Sequence, residues 1–226
     1  MDISVIIPAY NEEGRIGNVL SALMGFEYIK EIIVVNDGSI DQTTKEAQKY
    51  PVTLIELPFN QGKAAAIKRG LEISSGEWIL FLDADLNGLN KEHLLSMIEY
   101  TKREDIDMVI GIFTKGKFIT DISHKIAPFL SGQRLIRRTV LEGMPHFEHT
   151  RYGIELMITE YVHKMGCQVK KVKLPHVYHI PKEQKRGWIK GKIEKYSMYR
   201  NIISTLLEIY FLSRLKWVKK LQRYSS

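Results

Sequence analysis

Apolar, β-branched runs recur along the first half of the chain, and between them apolar positions return every three or four residues. The runs are Ser4–Pro8, Glu31–Asn36, Val52–Leu57, Trp78–Asp83 and Met108–Phe113, and a later one covers Val169–Tyr178. Most are too short for buried helices and rich in Val and Ile, so they are expected to be strands. Between them Ile16, Val19, Leu20 and Leu23 repeat at helical spacing, followed by Thr43–Lys49, then Ala64, Ile67 and Leu71, then a helix around Leu94, Leu95 and Ile98. This alternation predicts an α/β fold of βαβ units, Rossmann-like, with a mostly parallel central sheet covered on both faces. Ligands of such sheets bind beyond the carboxyl ends of the strands, so the residues just after each run carry the functional information.

Past Phe113 the pattern changes. Thr114 to Pro128 is polar and weakly periodic, and reads as a mobile or substrate-dependent segment. Ser131–Leu141 holds a dense basic group, Arg134, Arg137 and Arg138. A helix then follows with Ile154, Met157, Ile158, Tyr161 and Met165 on one stripe. From residue 181 the chain becomes basic and amphipathic, which divides it into a domain over residues 1–180 and a helical extension over 181–226.

Composition sharpens that division. The formal net charge is +7 over 226 residues, yet residues 181–226 hold 12 of the 33 basic residues and only 3 of the 26 acidic ones. The domain is therefore close to neutral, which argues against a nucleic-acid protein whose whole surface is basic. At 44% hydrophobic and 26% charged, the chain is neither disordered nor collagen-like. The single Cys167 has no partner for an internal disulfide, which favours a reducing compartment; it reads as a small packing residue rather than a reactive thiol. The start MDISVIIPAYNEE lacks the basic region and long apolar run of a signal peptide. The most apolar late window, Ile202–Leu212, contains Glu208 and is too short to cross a bilayer. In the extension, Tyr196, Tyr199, Tyr210 and Trp217 punctuate an apolar stripe flanked by Lys and Arg. Such a helix can lie on an anionic membrane surface or form a homodimer contact. The absence of an RNP, KH or zinc-finger pattern argues against nucleic acid.

The strand ends carry the candidate chemistry. The first run leads into Pro8, Ala9, Tyr10, Asn11 and Glu12. The second leads into Asp37, Gly38 and Ser39, and the fourth into Asp83, Ala84 and Asp85. In an extended segment, residues two apart share a side, so Asp83 and Asp85 can face one ligand, and hard carboxylate oxygens suit Mg²⁺ or Mn²⁺. Asp37 is either an ordinary turn residue or an acceptor for a nucleobase N–H. Gly62 and Lys63 open a helix whose free N–H groups and positive charge could receive an anion; an ordinary helix start is the alternative. Glu155 stands beside the apolar stripe of its helix, as a solvated residue or as a proton acceptor. Arg134 with Arg137 or Arg138, at helical spacing, could grip a phosphate.

Taken together, IIPAYNEE (6–13), VVNDGSIDQT (34–43), NQGKAAAIKRG (60–70) and LDADL (82–86) closely resemble the family-2 glycosyltransferases of the GT-A fold. The segments SGQRLIRRTVL (131–141) and RYGIELMITEY (151–161) look like the acceptor side of the polyprenyl- and dolichol-phosphate hexosyltransferases. The resemblance implies a nucleotide pocket lined by Pro8 to Glu12, a base contact from Asp37, and a diphosphate bordered by Lys63. It further implies a metal pair Asp83/Asp85, with Asp85 the direct ligand and His179 a later one. Many members have two aspartates after the second strand, where this chain has Asn36 before Asp37. The implied activity is metal-dependent, inverting transfer of a hexose from a UDP- or GDP-sugar. The implied acceptor is a polyprenyl phosphate or other lipid, at the cytoplasmic face of a membrane on which the protein would be peripheral. A soluble saccharide or small-molecule acceptor, with the extension serving oligomerisation, is the alternative; a nucleotide-sugar-binding protein without turnover is the third.

Overall fold

The computed structural model describes residues 2–114, 131–144 and 154–180. The first five strands and four helices alternate as β1 (Ile3–Ala9), α1 (Ile16–Leu23), β2 (Ile29–Asn36), α2 (Thr43–Ala47), β3 (Thr53–Glu56), α3 (Lys63–Ile73), β4 (Trp78–Phe81), β5 (Leu86–Asn87) and α4 (Lys91–Ile98). There follow β6 (Met108–Thr114), β7 (Arg134–Arg137), α5 (Arg138–Glu142), α6 (Ile154–Lys164), β8 (Val169–Pro175) and β9 (Tyr178–His179). Seven strands form one sheet in the order β3-β2-β1-β4-β7-β6-β8, while β5 and β9 pair as a separate two-stranded ribbon. Within the large sheet every pairing is parallel except those of β7, which runs against both β4 and β6. The mostly parallel α/β architecture expected from the sequence is thus present.

Alternation along β1 explains the two cores. Ile3, Val5 and Ile7 point to the face covered by Ile16, Val19, Leu20 and Leu23 of α1 and by Leu94 and Met97 of α4. Ile6 points to the other face, with Ala64 and Ile67 of α3 and Ile154, Ile158 and Val162 of α6. Burying each Ile or Leu contributes about 1.5–3 kcal/mol, so these two layers hold the sheet rigid beneath its carboxyl edge. Gly70 of α3 sits directly on β1, where a Cβ would lie 2.6 Å from Cγ2 of Ile6. In α6 the predicted stripe is displaced: Val162 is buried while Met165 follows the helix and is exposed.

Two expectations are corrected. The helical spacing by which Arg134 could share a face with Arg137 or Arg138 does not hold: β7 occupies Arg134–Arg137, and only then does α5 begin. The run Val169–Tyr178 is two strands, broken at His176, whose φ of 63° turns the chain out of β8. The neighbouring Gly88, at φ 78°, has no Cβ to strike the His176 carbonyl, and this close passage lets β9 pair with β5. Most of the polar segment Thr114 to Pro128 and all of the 181–226 extension, with its membrane and dimer readings, lie outside the described residues. Among the described residues, no helix is long and apolar enough to cross a membrane.

Glu31, in β2, ties three parts of the sheet's amino edge together. Its carboxylate accepts from Ser4 Oγ at 2.6 Å, from the Ser75 amide at 2.7 Å and from Ser75 Oγ at 2.9 Å. Burial pushes its pKa up, but these donors and the Lys30 charge outweigh it and hold the carboxyl below its usual range. A depressed carboxyl stabilises the fold above the unfolded-state pKa and loses that contribution as pH falls through the folded value. Glu31→Gln should therefore lower stability by about 1 kcal/mol at neutral pH. In urea titrations the deficit should shrink once pH drops below about 4.

Candidate functional site

At the carboxyl edge of β1 and β2 the two following loops are stitched to each other. The Asn11 amide donates to Ser39 Oγ at 2.9 Å, the Ile40 amide to Asn11 Oδ1 at 3.0 Å, and the Glu12 amide to Thr43 Oγ1 at 2.8 Å. Asn11 holds φ 55°, a conformation that Asn tolerates better than most residues. Pro8 and Ala9 lie within or against the core, and Glu12 is buried against Arg15 at 2.7 Å. From the first motif Tyr10 is the side chain most exposed at this edge.

Asp37 spans to the next loop. Its Oδ1 accepts from the Gln61 amide at 2.7 Å and its Oδ2 from the Gly62 amide at 2.8 Å, so this carboxylate shapes the start of α3. Asn36 beside it is buried, donating to Thr44 Oγ1 at 2.7 Å and accepting from the Ser39 amide at 3.0 Å. An amide can do both at once, whereas a carboxylate could only accept. Gly38 adopts φ 70° with the backbone of Phe59 against it. Gly62, at φ 96°, turns the chain into α3 and delivers Lys63 as its first residue.

Lys63 then crosses the edge of the sheet. Its Nζ donates to Asp83 Oδ1 at 2.6 Å and to Glu155 Oε1 at 2.5 Å, joining residues that are 92 positions apart. Burial disfavours the ammonium, but the two carboxylates outweigh it and raise its pKa well above the usual lysine value. The reciprocal effect is seen on Asp83, where burial opposes ionisation but Lys63, His179 and Gln133 hold the pKa down to about 2. Glu155 is thereby drawn into the site from the first turn of α6 and is not a solvated residue. Lys63→Met should cost about 2 kcal/mol, the low side of what breaking a buried ion pair costs, since the lysine side chain is one-third exposed. Because the remaining carboxylates become neutral in acid, the difference from wild type in denaturant unfolding should narrow as pH falls from 5 towards 2.

Asp83 and Asp85 lie in the turn after β4 rather than within the strand, and they meet on His179. The β5–β9 ribbon carries the imidazole there: its Nδ1 donates to Asp85 Oδ1 at 2.8 Å, and its Nε2 is 3.9 Å from Asp83 Oδ2. The buried Phe113 ring packs on the imidazole at a centroid distance of 5.1 Å. Burial disfavours protonation of His179, but the bond and charge of Asp85, with Asp83, raise its pKa. Ala84 between the two aspartates is buried.

The three arginines do not converge. Arg134 is 1% exposed, and its guanidinium is spent inside the fold, donating to the Ser131 carbonyl at 2.8 Å and to Thr159 Oγ1 at 2.9 Å. Burial brings its pKa down to about 10 against the pull of Glu155 and Asp83. It supports α6 from beneath and is not placed to grip a substrate phosphate. Arg137 and Arg138 stand at the opposite edge of the sheet, because β7 runs antiparallel and Arg137 pairs with Trp78 at the start of β4. Arg137 stacks over Trp78 at 4.7 Å, and Arg138 donates to the Gly76 carbonyl at 2.6 Å. The expected shared face fails because the segment is a strand, in which consecutive residues alternate sides.

Two site residues escaped the sequence reading. Gly132 and Gln133 enter β7 beside the turn that bears Asp83. Gln133 Nε2 donates to Asp83 Oδ2 at 2.7 Å, and a Cβ on Gly132 would lie 2.6 Å from Asp83 Oδ1. The only available signal was a small-polar triplet, S-G-Q, ahead of the apolar-basic run.

Among the described residues, no group of three or more His, Cys, Asp or Glu side chains is gathered closely enough to hold a metal ion. The donor chemistry nevertheless fits one. Two carboxylates and an imidazole face a common region, a set suited to Mg²⁺ or Mn²⁺ when substrate phosphates complete the shell. Asp83 has both oxygens engaged, whereas Asp85 has His179 as its hydrogen-bond partner, so Asp85 and His179 are the donors that would hold it.

The polar loops gathered at the carboxyl edge of a doubly wound sheet place the candidate site where α/β folds bind their ligands. Residues 4–163 match the profile of Glycosyl transferase family 2, and the chain belongs to that family. It is 29% identical to a dolichol-phosphate mannosyltransferase of Pyrococcus furiosus, over 99% of this chain and 66% of that protein. It is 30% identical to a dodecaprenyl-phosphate galacturonate synthase of Rhizobium johnstonii, over 59% of this chain and 43% of that one. The chain thus spans less than two-thirds of the length of these relatives. Among solved structures it is similar to glucosyl-3-phosphoglycerate synthase of Mycobacterium tuberculosis in complex with Mg²⁺ and uridine diphosphate. The TM-score is 0.71 at 25% identity, over 91% of this chain and 78% of the other.

Proposed function

We propose that the protein is an inverting, cation-assisted glycosyltransferase that moves a hexose from a nucleotide diphosphate sugar to a polyprenyl phosphate or a related lipid phosphate. The observation that carries this reading is the meeting of Asp83, Asp85 and His179 with the Lys63–Glu155 pair at the edge where β1 and β4 diverge. A divalent cation bound there would supply Lewis-acid neutralisation of the leaving diphosphate. The residues of this chain do the rest. The Asn11–Ser39 and Asp37–Gly62 bonds fix the loops that would hold the nucleotide, and most of the catalysis is positioning and charge compensation.

The state of Glu155 bears on the acceptor. A hydroxyl acceptor must lose a proton to a base, whereas a phosphate acceptor is already ionised. Glu155 Oε1 lies 2.5 Å from an ammonium, which suits a residue that orients Lys63 better than a free base. The curated relatives, named for dolichol and dodecaprenyl phosphates, support the lipid reading. A second reading, a soluble phosphorylated acceptor, has its own support: the mycobacterial glucosyl-3-phosphoglycerate synthase was also solved in complex with phosphoglyceric acid.

Thermal unfolding of the full chain with UDP- and GDP-sugars, with and without Mn²⁺ or Mg²⁺, tests the donor half. A ligand at about 100 times its Kd adds about 2.7 kcal/mol of stability. No response to any nucleotide sugar with either cation rejects the proposal. Incubation with labelled donor and either a polyprenyl phosphate in vesicles or 3-phosphoglycerate then separates the two acceptor readings.

A further inference from the structure

We infer that Gln133 is a positioning residue of the donor site: its buried side-chain amide sets the rotation of the Asp83 carboxylate, and Gly132 leaves the space in which that carboxylate sits. The inference rests on the functional reading above, and it gives a role to two residues of a segment, 131–141, that the family likeness quoted only as a whole.

The geometry begins with the antiparallel β7. Because it runs against β4 and Arg134 pairs with Phe81, the residues entering β7 lie beside those leaving β4. Gln133 is fully buried. A carboxylate can only accept, so the group facing Asp83 Oδ2 at 2.7 Å must be the amide nitrogen, Nε2. The amide oxygen then points the other way, towards Ser131 Oγ at 3.0 Å. That hydroxyl's one proton is shared with the Gly111 carbonyl, the shorter contact at 2.5 Å, so the orientation of the amide is fixed at its Asp83 end, where a flip would set two acceptors face to face. The result is a relay from the β6 backbone through Ser131 and Gln133 to Asp83.

The relay acts on one oxygen of Asp83, and Lys63 holds the other. With both oxygens held, the carboxylate has a single rotation, which turns Oδ2 towards His179. Gly132 makes that rotation available: any Cβ there would meet Asp83 Oδ1 at 2.6 Å and Cγ at 2.7 Å. Gln133 reaches the substrate side only through Asp83, so its effect has to vanish when the carboxylate is absent.

The test is a double-mutant cycle on the full chain. Gln133→Met keeps the volume and removes the donor. Calorimetric titration with UDP-glucose and GDP-mannose in Mn²⁺ should show donor affinity falling about tenfold or more, the usual loss when an outer-shell support of a metal site is removed. The thermal midpoint should stay within about 4 °C of wild type. In an Asp83→Ala background the same substitution should change affinity by less than about twofold, since coupled residues are non-additive. Should Gln133→Met fail to fold, Ser131→Ala frees the amide and should give a smaller loss that is likewise absent without Asp83. Wild-type affinity in Gln133→Met, or an equal loss with and without Asp83, overturns the inference. A wild-type protein that binds no nucleotide sugar overturns the functional reading, and this one with it.

Discussion

Asp85→Asn is expected to lower sugar transfer by about a thousand-fold, because a group that stabilises leaving-group charge is worth several kcal/mol in the transition state. The substitution is nearly isosteric, and the asparagine Oδ1 can still accept from His179 Nδ1, so the β5–β9 ribbon should remain paired. Loss of activity should therefore come with a thermal midpoint within about 3 °C of wild type. Turnover is measured with labelled nucleotide sugar at saturating acceptor. Wild-type turnover in Asp85→Asn would remove Asp85 from the mechanism. Nucleotide affinity in the absence of cation should change little, which separates a ligand to the ion from a ligand to the nucleotide.

The second large effect is on stability. At Gly38→Ala two penalties coincide. A left-handed φ of 70° costs an L-residue about 1–2 kcal/mol. The new Cβ would also lie 2.5 Å from the Phe59 carbonyl carbon and 2.7 Å from the Asn60 nitrogen. Those are backbone atoms and cannot rotate away, and overpacking of this kind adds about 1–3 kcal/mol. A total near 3 kcal/mol is expected in denaturant unfolding. Gly166 supplies the control: it has the same φ of 70° with nothing within 4 Å of its Cβ position. Gly166→Ala should therefore show only the conformational penalty of about 1 kcal/mol. Equal losses at the two positions would show that the approach of Phe59 is unimportant. A further consequence is local, since the displaced loop carries the Gln61 and Gly62 amides that Asp37 holds.

The parts of this fold that were legible in the sequence are those where one physical effect dominates. The runs that became β1, β2 and β4 are apolar because they are buried on both faces, and α1 announced itself through Ile16, Val19, Leu20 and Leu23. The segment at β7 was misread because its polar residues are satisfied individually: Arg134 by Ser131 and Thr159, Arg137 by the Trp78 ring. No periodicity reports such partners. The break at His176 was hidden for a similar reason, because a positive φ in a non-glycine residue is imposed by tertiary contacts. In the site, the acidic pair at Asp83 and Asp85 and the loop at Asp37 were visible as residue types after strands. The link between Lys63 and Glu155 was not, since it depends on how α3 and α6 pack on one face. Gly132 matters for what it lacks, and a missing Cβ has no signature apart from the neighbour it admits.

The reversed direction of β7 has a consequence for how such a domain can diversify. Strand β6 ends at the ligand edge with Thr114, and the chain is again at that edge at Ser131, whose hydroxyl reaches back to Gly111. Both ends of that connection lie beside the chemistry, and the register of the described strands is set by pairings outside it. A change in the length or composition of residues 115–130 is therefore expected to leave the pairing of β1 with β2 and β4, beside Asp37, Asp83 and Asp85, as it is. Under the proposed function, a lineage or a designer could change the acceptor there and leave the handling of the donor intact.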